Sequence, residues 1–292
     1  MGDPICLSTL FGVPPIAHGT VEYAYTSYST EVFLGNHAVI SAGTHLGHGV
    51  LLGVGTTSPQ DTPSHSSWFG NPSFELPNRE VVEMDERLTH SPSLIRYTNR
   101  VFWECLRFLL PLFGLVAFVF WCRFSYADDP LSFLSVVRSI FGLMCVSFTS
   151  ILAVLILKWG LLGRVRPGVH PLWSCWCSRW DFVYVAWGAL CRPILTVFEG
   201  SLVLNVILRW FGVRIGKSVF LGNGFAQVVD PDMLNFEDRA TVTNLFQAHS
   251  FEDRVLKVAP VRFEVGTSIG AGTIVLFGAQ VDVAARVSEQ SV

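Results

Sequence analysis

Residues 33–56 read FLGNHAVISAGTHLGHGVLLGVGT, and apolar residues recur in this stretch every six positions. The apolar positions are Leu34, Ile40, Leu46 and Leu52, and a small or β-branched residue follows each by four positions, at Ala38, Thr44, Val50 and Thr56. A period of six matches neither an α-helix, with about 3.6 residues per turn, nor a half-buried strand, with a period of about two. It is typical of a hexapeptide β-helix, in which three short strands form one triangular coil and the apolar residues stack inside.

The same phase returns near the C-terminus. The apolar positions there are Phe263, Ile269, Val275, Val281 and Val287, and the small residues four positions behind are Thr267, Thr273, Ala279 and Ala285. We therefore predict a mixed fold, in which two segments of left-handed parallel β-helix flank a transmembrane helical hairpin. The predicted domains are a first β-helix segment with a Pro/Ser loop in residues 1–80, a membrane region in residues 81–210 and a second β-helix segment in residues 211–292.

Two uncharged apolar runs lie between the β segments. Half of the 292 residues are hydrophobic and only 15% are charged, against roughly 25% charged residues in an ordinary globular domain. The runs predict two transmembrane helices, at about residues 101–123 and 138–158. Aromatic residues at their edges, such as Trp103, Trp121 and Trp159, resemble the belts that lie at membrane interfaces. A buried helical hairpin in a soluble core is the alternative.

Residues 181–209 form a third apolar region, which Arg192, Pro193 and Glu199 interrupt. Proline removes a helix hydrogen bond and clashes with the preceding turn, so a continuous helix through Pro193 is not expected. We predict instead a pair of interfacial helices that lie on the membrane surface, with tryptophans at headgroup depth. A third span would leave Glu199 in lipid unless its carboxylate has a partner.

Basic residues outside the two runs predict the orientation of the chain. Arg96, Arg100 and Arg107 precede the first run, and Lys158, Arg164 and Arg166 follow the second. The loop between the runs carries Arg123 and Arg138, but also Asp128 and Asp129. Because cytoplasmic loops are enriched in Lys and Arg, we predict an integral membrane protein with two spans and both termini in the cytosol.

The composition gives no support for a nucleic-acid partner or for a bound metal. The net charge is −3, and the sequence has no basic run of the kind that binds nucleic acid. Cys175 and Cys177 lack a second cysteine pair at the spacing of zinc ligands. His37, His45 and His48 fall at outward positions of the first coils, where surface residues are expected. We expect neither a metal site nor a tightly bound cofactor.

Three blocks of sequence are distinctive, and the six-residue period does not account for the third of them. They are residues 33–77, which begin FLGNHAV and end SWFGNPSFELP, residues 159–174, which read WGLLGRVRPGVHPLWS, and residues 247–257, which read QAHSFEDRVLK. Together they resemble the C-terminal membrane and β-helix region of poly-ε-lysine synthase-type peptide synthetases, and the wider superfamily of hexapeptide-repeat acyltransferases. The third block is the most specific of the three.

The resemblance implies soluble β-helical domains tethered by membrane helices, and a reaction that joins a thioester-bound acyl group to a free amine. It implies an acyl donor linked to phosphopantetheine or to CoA. The partners that it implies are membrane lipid and an adenylation or carrier protein, and a homo-oligomer is a further candidate. Two alternatives stay open: a non-catalytic membrane scaffold for a partner synthetase, and an O-acetyltransferase of the hexapeptide superfamily.

His249, in the third block, is the candidate general base. An ordinary imidazole titrates near pH ~6.5, which suits removal of a proton from an attacking nucleophile at neutral pH. Glu252 and Asp253 are candidates to orient the ring through its other nitrogen. Arg254 and Lys257 are candidates to bind a phosphate of the donor. We expect this block to be a loop. The alternative is that it forms a solvated, salt-bridged turn whose histidine is an ordinary surface residue.

Overall fold

The chain divides into two compact units, residues 1–83 and residues 84–291. The computed structural model describes residues 9–14, 16–77, 82–126, 132–228, 230–243, 248–273, 275–289 and 291. The predicted domain boundary at residues 80/81, and the acidic loop residues Asp128 and Asp129, lie outside the described residues. The predicted boundary at residues 210/211 stays a prediction.

The first unit consists of short strands that pair mostly in parallel. They are β1 (Leu10–Val13), β2 (Ile16–Ala17), β3 (Thr20–Val21), β4 (Ser27–Tyr28), β5 (Phe33–Leu34), β6 (Val39–Ser41), β7 (His45–Leu46), β8 (Leu51–Leu52), β9 (Asp61–Thr62), β10 (Ser67–Phe69) and β11 (Phe74–Glu75). Ser27 pairs with His45 and Phe33 pairs with Leu51, in both cases 18 positions further along. Eighteen residues are three hexapeptides, so the register follows from the six-residue period.

The interior positions predicted from the first run are all buried. They are Leu34, Ile40, Leu46 and Leu52, with Ala38, Thr44, Val50 and Thr56. Gly35 lies where the backbone of residues 53 and 54 passes closest. A Cβ atom at Gly35 would be 2.5 Å from the carbonyl carbon of Gly53, so a larger residue would push the neighbouring strand away.

The second unit contains the helices. They are α1 (Glu86–Thr89), α2 (Leu94–Arg107), α3 (Leu110–Ser125), α4 (Phe133–Leu161), α5 (Cys175–Ala186), α6 (Arg192–Leu195) and α7 (Leu202–Phe211). Three helical stretches are long and apolar enough to cross a membrane: Glu86–Ser125, Phe133–Leu161 and Cys175–Phe198. The structure therefore does not support the predicted count of two spans, although the first two stretches contain the predicted residues. The cytosolic location of both termini stays a prediction.

The predicted break at Pro193 is wrong, because the third stretch continues through it. A π-helical turn, Trp187–Cys191, joins α5 to α6, and a 3₁₀ turn, Thr196–Phe198, ends the stretch. In the π turn the backbone N–H of Arg192 donates to the carbonyl of Trp187, five residues back. The wider turn changes the pairing of the carbonyls that precede the proline, so the helical stretch continues without the hydrogen bond that Pro193 cannot make.

The remaining strands of the second unit form two parallel sheets and one antiparallel sheet. The strands are β12 (Gly168–Pro171), β13 (Arg214–Ile215), β14 (Phe220–Leu221), β15 (Leu234–Phe236), β16 (Thr241–Val242), β17 (His249–Glu252), β18 (Val255–Val258), β19 (Val261–Phe263), β20 (Ser268–Ile269), β21 (Gln280–Val281) and β22 (Arg286–Val287). The parallel sheets have the orders β13-β15-β19-β21 and β14-β16-β20-β22, and the antiparallel sheet has the order β12-β18-β17.

Two intervals of the second unit depart from the 18-position register, and one of them, from Ile215 to Phe236, is 21 positions long. Phe263 pairs with Val281, 18 positions on, but Phe236 pairs with Phe263, 27 positions on. The hairpin β17–β18 lies within the longer interval. The interior residues still stack across it, since the rings of Phe236 and Phe263 lie 5.0 Å apart and within 5° of parallel. The inserted hairpin carries the third sequence block and builds the candidate site.

Candidate functional site

His249 begins strand β17 and does not lie in the loop expected from the sequence. Strands β17 and β18 pair from His249↔Val258 to Glu252↔Val255, which leaves a two-residue turn of Asp253 and Arg254. Both turn residues have positive φ, 49° and 58°, as a type I′ hairpin turn requires. The tight turn and the third strand, β12, hold the histidine on a defined sheet.

Strand alternation separates His249 from the acidic residue expected to orient it. Successive side chains of a strand point to opposite faces, so Glu252, three positions on, faces away from His249. The carboxylate of Glu252 lies instead 3.7 Å from the ammonium nitrogen of Lys257, and both side chains are nearly buried. This pair therefore lies on the face of the sheet opposite to the imidazole.

Asp230 is the carboxylate that contacts His249. Its Oδ2 lies 3.0 Å from Nδ1 of His249, and its Oδ1 accepts a 2.7 Å hydrogen bond from the indole N–H of Trp180. The Asp230 side chain is 1% exposed, whereas that of His249 is 20% exposed. The acid is therefore enclosed, while the imidazole keeps an accessible edge.

Local backbone geometry brings Asp230 to this position. Asp230 has a left-handed conformation, φ 56° and ψ 58°, directly before the 3₁₀ turn Pro231–Met233. Aspartate tolerates this conformation better than most residues. Helix α5 supplies Trp180 from the opposite side, and the indole also meets the His249 ring edge-on, with ring centroids 5.3 Å apart. Two packed elements and a turn thus fix the carboxylate and the imidazole.

The hydrogen bonds assign the protons of this pair. An ionised carboxylate can only accept, so Nδ1 of His249 donates to Asp230 and carries the proton of the neutral ring. The Nε2 lone pair is then free to accept a proton. A buried carboxylate that bonds the far nitrogen of a histidine also stabilises the imidazolium that forms when the ring accepts a second proton. The geometry is that of a general base with its orienting acid.

A second histidine, His170, lies on the same face of this sheet. His170 pairs with Leu256 in β18, and Leu256 pairs with Phe251 in β17, two residues from His249. The His170 ring stacks on Trp176, 3.7 Å between centroids. Burial lowers the pKa of His170, and the negative charge of Asp230 opposes that shift in part. The ring is therefore neutral at pH 7.

A cavity of about 30 Å³ adjoins Asp230 on the side of α5. Its lining includes Lys158, Trp180, Tyr184, Trp187 and Asp230. A water molecule needs roughly 10–15 Å³ measured in this way, so the cavity has room for water and none for a substrate.

An ion pair anchors the segment that carries Asp230. Lys158, at the end of α4, lies 2.8 Å from Asp232, and the two side chains are 2% and 3% exposed. Asp232 also accepts a hydrogen bond from the backbone N–H of Val165, at 3.1 Å. Gly212 ends α7 beside this pair with φ 111°, and a Cβ atom there would lie 2.5 Å from Oδ1 of Asp232. The end of α4 is thus tied to the site.

Of the other predicted site residues, Glu252, Asp253 and Arg254 lie at the tip of the hairpin, and Lys257 lies within β18. Arg254 donates a hydrogen bond to the carbonyl of Thr89, 3.4 Å away. Asp253 lies 4.0 Å from Nε2 of His90. Lys257 has Glu252 as its partner. The structure therefore brings His249 together with Asp230 and Trp180, and it directs the side chains of Glu252, Asp253, Arg254 and Lys257 to other contacts.

Within the described ranges, no group of three His, Cys, Asp or Glu side chains is arranged to hold a metal ion. His45 and His48 instead hydrogen-bond to hydroxyls of the preceding strand region, at Ser27 and Thr30. The described cysteines are free thiols. The site residues that the structure adds are Asp230 and Trp180, and neither belongs to a spacing pattern in the sequence that marks it.

The fold and the site define a class of protein that combines helices of membrane-spanning length, parallel strands and an enclosed aspartate–histidine pair. The chain is similar to the delta-poly-L-ornithine synthetase of Acinetobacter baumannii (strain AB307-0294), with 29% identity over 287 residues. The match covers 94% of this chain and 21% of the synthetase, so the chain spans about a fifth of that relative. No family model matches the chain, and no solved structure matches it. The similarity is consistent with a role related to peptide synthetases.

Proposed function

We propose that this chain is a membrane-anchored acyltransferase that forms an amide from a thioester donor and an amine. The observation that carries the proposal is the contact between His249 and Asp230, 3.0 Å long, with Asp230 held by Trp180. The similarity to a poly-ornithine synthetase over 94% of the chain supports an amide product. That relative's name also suggests an amino-acid amine, such as that of ornithine, as the acceptor.

The chemistry needs one base at the attacking nitrogen. As the amine attacks the thioester carbonyl, Nε2 of His249 takes a proton from the nitrogen, and the new C–N bond replaces the C–S bond. The imidazolium can then give this proton to the departing thiolate, which leaves as a thiol. Asp230 stabilises the imidazolium through Nδ1 and holds the ring in the required tautomer. The roles earlier considered for Glu252 and Asp253 pass to Asp230 in this proposal.

The donor is proposed to be linked to phosphopantetheine or CoA, on a carrier protein or free, without a tightly bound cofactor. Phosphate binding by Arg254 and Lys257 stays a prediction from the sequence. Their contacts with Thr89 and Glu252 do not favour it, because each cation already has a partner.

The test is a product assay with the purified protein. Ornithinyl-pantetheine serves as the donor, free ornithine as the acceptor, and mass spectrometry detects the dipeptide. Product from the wild-type chain that is absent with H249A supports the enzyme. Product that does not depend on His249 would favour the non-catalytic scaffold, and an ester product with a hydroxyl acceptor would favour the O-acyltransferase alternative.

We further propose that the parallel sheets of each unit close into left-handed β-helices. The 18-position register of Phe33↔Leu51 in the first unit and of Phe263↔Val281 in the second supports a coil of three hexapeptides. Burial of Leu52 and Ile269 supports an apolar interior.

The third apolar stretch is proposed to be an interfacial helix that covers the β segment, which leaves two spans. Glu199 accepts hydrogen bonds from the backbone N–H groups of Gly224 and Ala226, and Trp187 donates to the carbonyl of Ala226. Of the residues along its most apolar part, 39% are buried in the protein, against 6% and 22% for the other two stretches. A spanning helix would draw the irregular backbone of residues 224–228 into the bilayer, where unpaired peptide groups are costly.

Cysteine labelling tests this arrangement. Exposed Cys175 begins the third stretch, and Val197, 80% exposed, lies near its end. In a variant with the other cysteines replaced, we expect Cys175 and V197C to react with an impermeant maleimide from the same side of the membrane. Labelling from opposite sides would mean that the helix spans. A cysteine at Leu134, at the start of the second stretch and before the predicted span of residues 138–158, is the control that should label from the other side.

A further inference from the structure

A cavity of about 190 Å³ lies where the turn after α4 meets the first parallel sheet of the second unit. Four arginines line it, and the remaining polar side chains of its lining are Asn235 and Asp232. The arginines are Arg164, Arg166, Arg214 and Arg262. We call this cavity, with these four side chains, the arginine groove. Its volume is several times what one water molecule needs.

Two of the arginines are placed by the sheet. Arg214 pairs with Asn235, and Asn235 pairs with Arg262, so the three residues form one row across β13, β15 and β19. The next residue of β15 and of β19, Phe236 and Phe263, is buried, and alternation turns the row outward. Strands lie about 4.8 Å apart, so the two arginines flank Asn235 at a separation of about 10 Å.

The other two arginines come from the turn after α4. Arg164 and Arg166 are exposed on either side of buried Val165. The N–H of Val165 donates to Asp232, and this bond fixes the turn against the sheet. The positions of all four arginines thus depend on packed backbone, although their guanidinium groups are accessible.

The charge of the arginine groove is not neutralised from within. Asp232 is paired with Lys158, so its charge is already balanced. The amide of Asn235 donates to Glu237 at 2.9 Å. None of the four arginines has an ion-pair partner in the part of the chain that the structure describes. A cleft lined by one sign of charge concentrates counter-ions of the opposite sign.

We propose that the arginine groove binds a phosphate group of a ligand. Guanidinium groups present forked donors that match phosphate oxygens in pairs, and several around one cleft favour a phosphate over a single carboxylate. Two sources carry this group: the phosphopantetheine arm of a thioester donor, and the headgroup of an anionic phospholipid. The second source agrees with exposed tryptophans near the end of α4, where Trp159 donates to the carbonyl of Trp210, because exposed tryptophans are typical of membrane interfaces.

Binding is measured without catalysis, so the test does not depend on the amide-forming role. Phosphopantetheine is titrated into the full chain in neutral detergent, with pantetheine as the matched ligand that lacks the phosphate. We expect R262Q to weaken phosphopantetheine binding about tenfold and to leave pantetheine binding unchanged. R286Q, which removes an exposed arginine from strand β22 of the other parallel sheet, should stay within about twofold of the wild type. H249A should bind as the wild type does.

The lipid source is tested in a second arm. Native mass spectrometry counts the phosphatidylglycerol molecules retained from mixed nanodiscs by wild type, R262Q and R286Q. If R262Q weakens only phosphopantetheine binding, the groove is assigned to the donor. If R262Q reduces only the retained phosphatidylglycerol, the groove is assigned to a lipid headgroup. If it lowers both, the groove is a shared phosphate site. The double variant R214Q/R262Q, if it melts at the wild-type temperature and retains both ligands at wild-type affinity, would overturn the proposal.

Discussion

Replacing His249 with alanine is expected to lower the rate of amide formation by about 10²–10⁴-fold, the usual contribution of a positioned general base. His249 is 20% exposed and makes one hydrogen bond of its side chain, to Asp230, so its loss should leave folding and membrane insertion intact. Because proton removal belongs to the transition state, kcat and kcat/KM should fall together while KM stays near its wild-type value. Initial rates across a range of donor concentrations measure both.

Asp230→Asn tests the pairing of the base with its acid more specifically than His249→Ala does. The amide is nearly isosteric with the carboxylate, but its NH₂ group can donate to Nδ1 and hold the ring in the tautomer whose Nε2 carries the proton. The rate should fall by about 10²-fold or more, without loss of protein. D253N is the matched control, since Asp253 is exposed and lies 4.0 Å from His90. Full activity in D230N, or an equal loss in D253N, would contradict the assignment of the base and its acid.

The sequence predicted the interior of the β segments because a period encodes it directly. Leu34, Ile40, Leu46 and Leu52 are buried where the six-residue phase required. The paired strands continue upstream of Phe263, to Phe236 and Ile215, but the intervals there are 27 and 21 positions, and neither is a multiple of six. The hairpin β17–β18 lengthens one interval to 27 positions, and a periodic pattern carries no information about an insertion.

The site was predictable only in part, because its contacts depend on tertiary structure. His249 was identifiable from the resemblance that the third sequence block carries, but the nearest acids in sequence, Glu252 and Asp253, are directed away by strand alternation and by the turn. Asp230 reaches the ring through a left-handed residue before a 3₁₀ turn, a conformation that leaves no pattern in the sequence. The same holds for Glu199, whose expected partner proved to be two backbone N–H groups.

Breaking the ion pair of Lys158 and Asp232 is expected to have the largest effect on stability. Both side chains are 2–3% exposed, so D232N would leave an uncompensated buried ammonium. Removing one member of a buried pair costs about 3–5 kcal/mol. We expect D232N to lower the melting temperature, followed by tryptophan fluorescence in detergent, and to reduce amide formation as well, because Asp230 lies two residues away.

The double variant K158M/D232L separates the charge from the packing. Hydrophobic replacements of similar volume for both members of a buried pair are often neutral or stabilising, so the double variant should recover most of the stability that D232N loses. K217Q, which removes an exposed cation between strands β13 and β14, is the control for charge alone. Recovered stability with activity still low would mean that the pair also sets the position of Asp230, since Asp232 holds the turn through its bond to Val165. Equal stability of D232N and the wild type would show that water solvates the ammonium of Lys158 in the variant. The ion pair would then not stabilise the contact between α4 and the segment that carries Asp230.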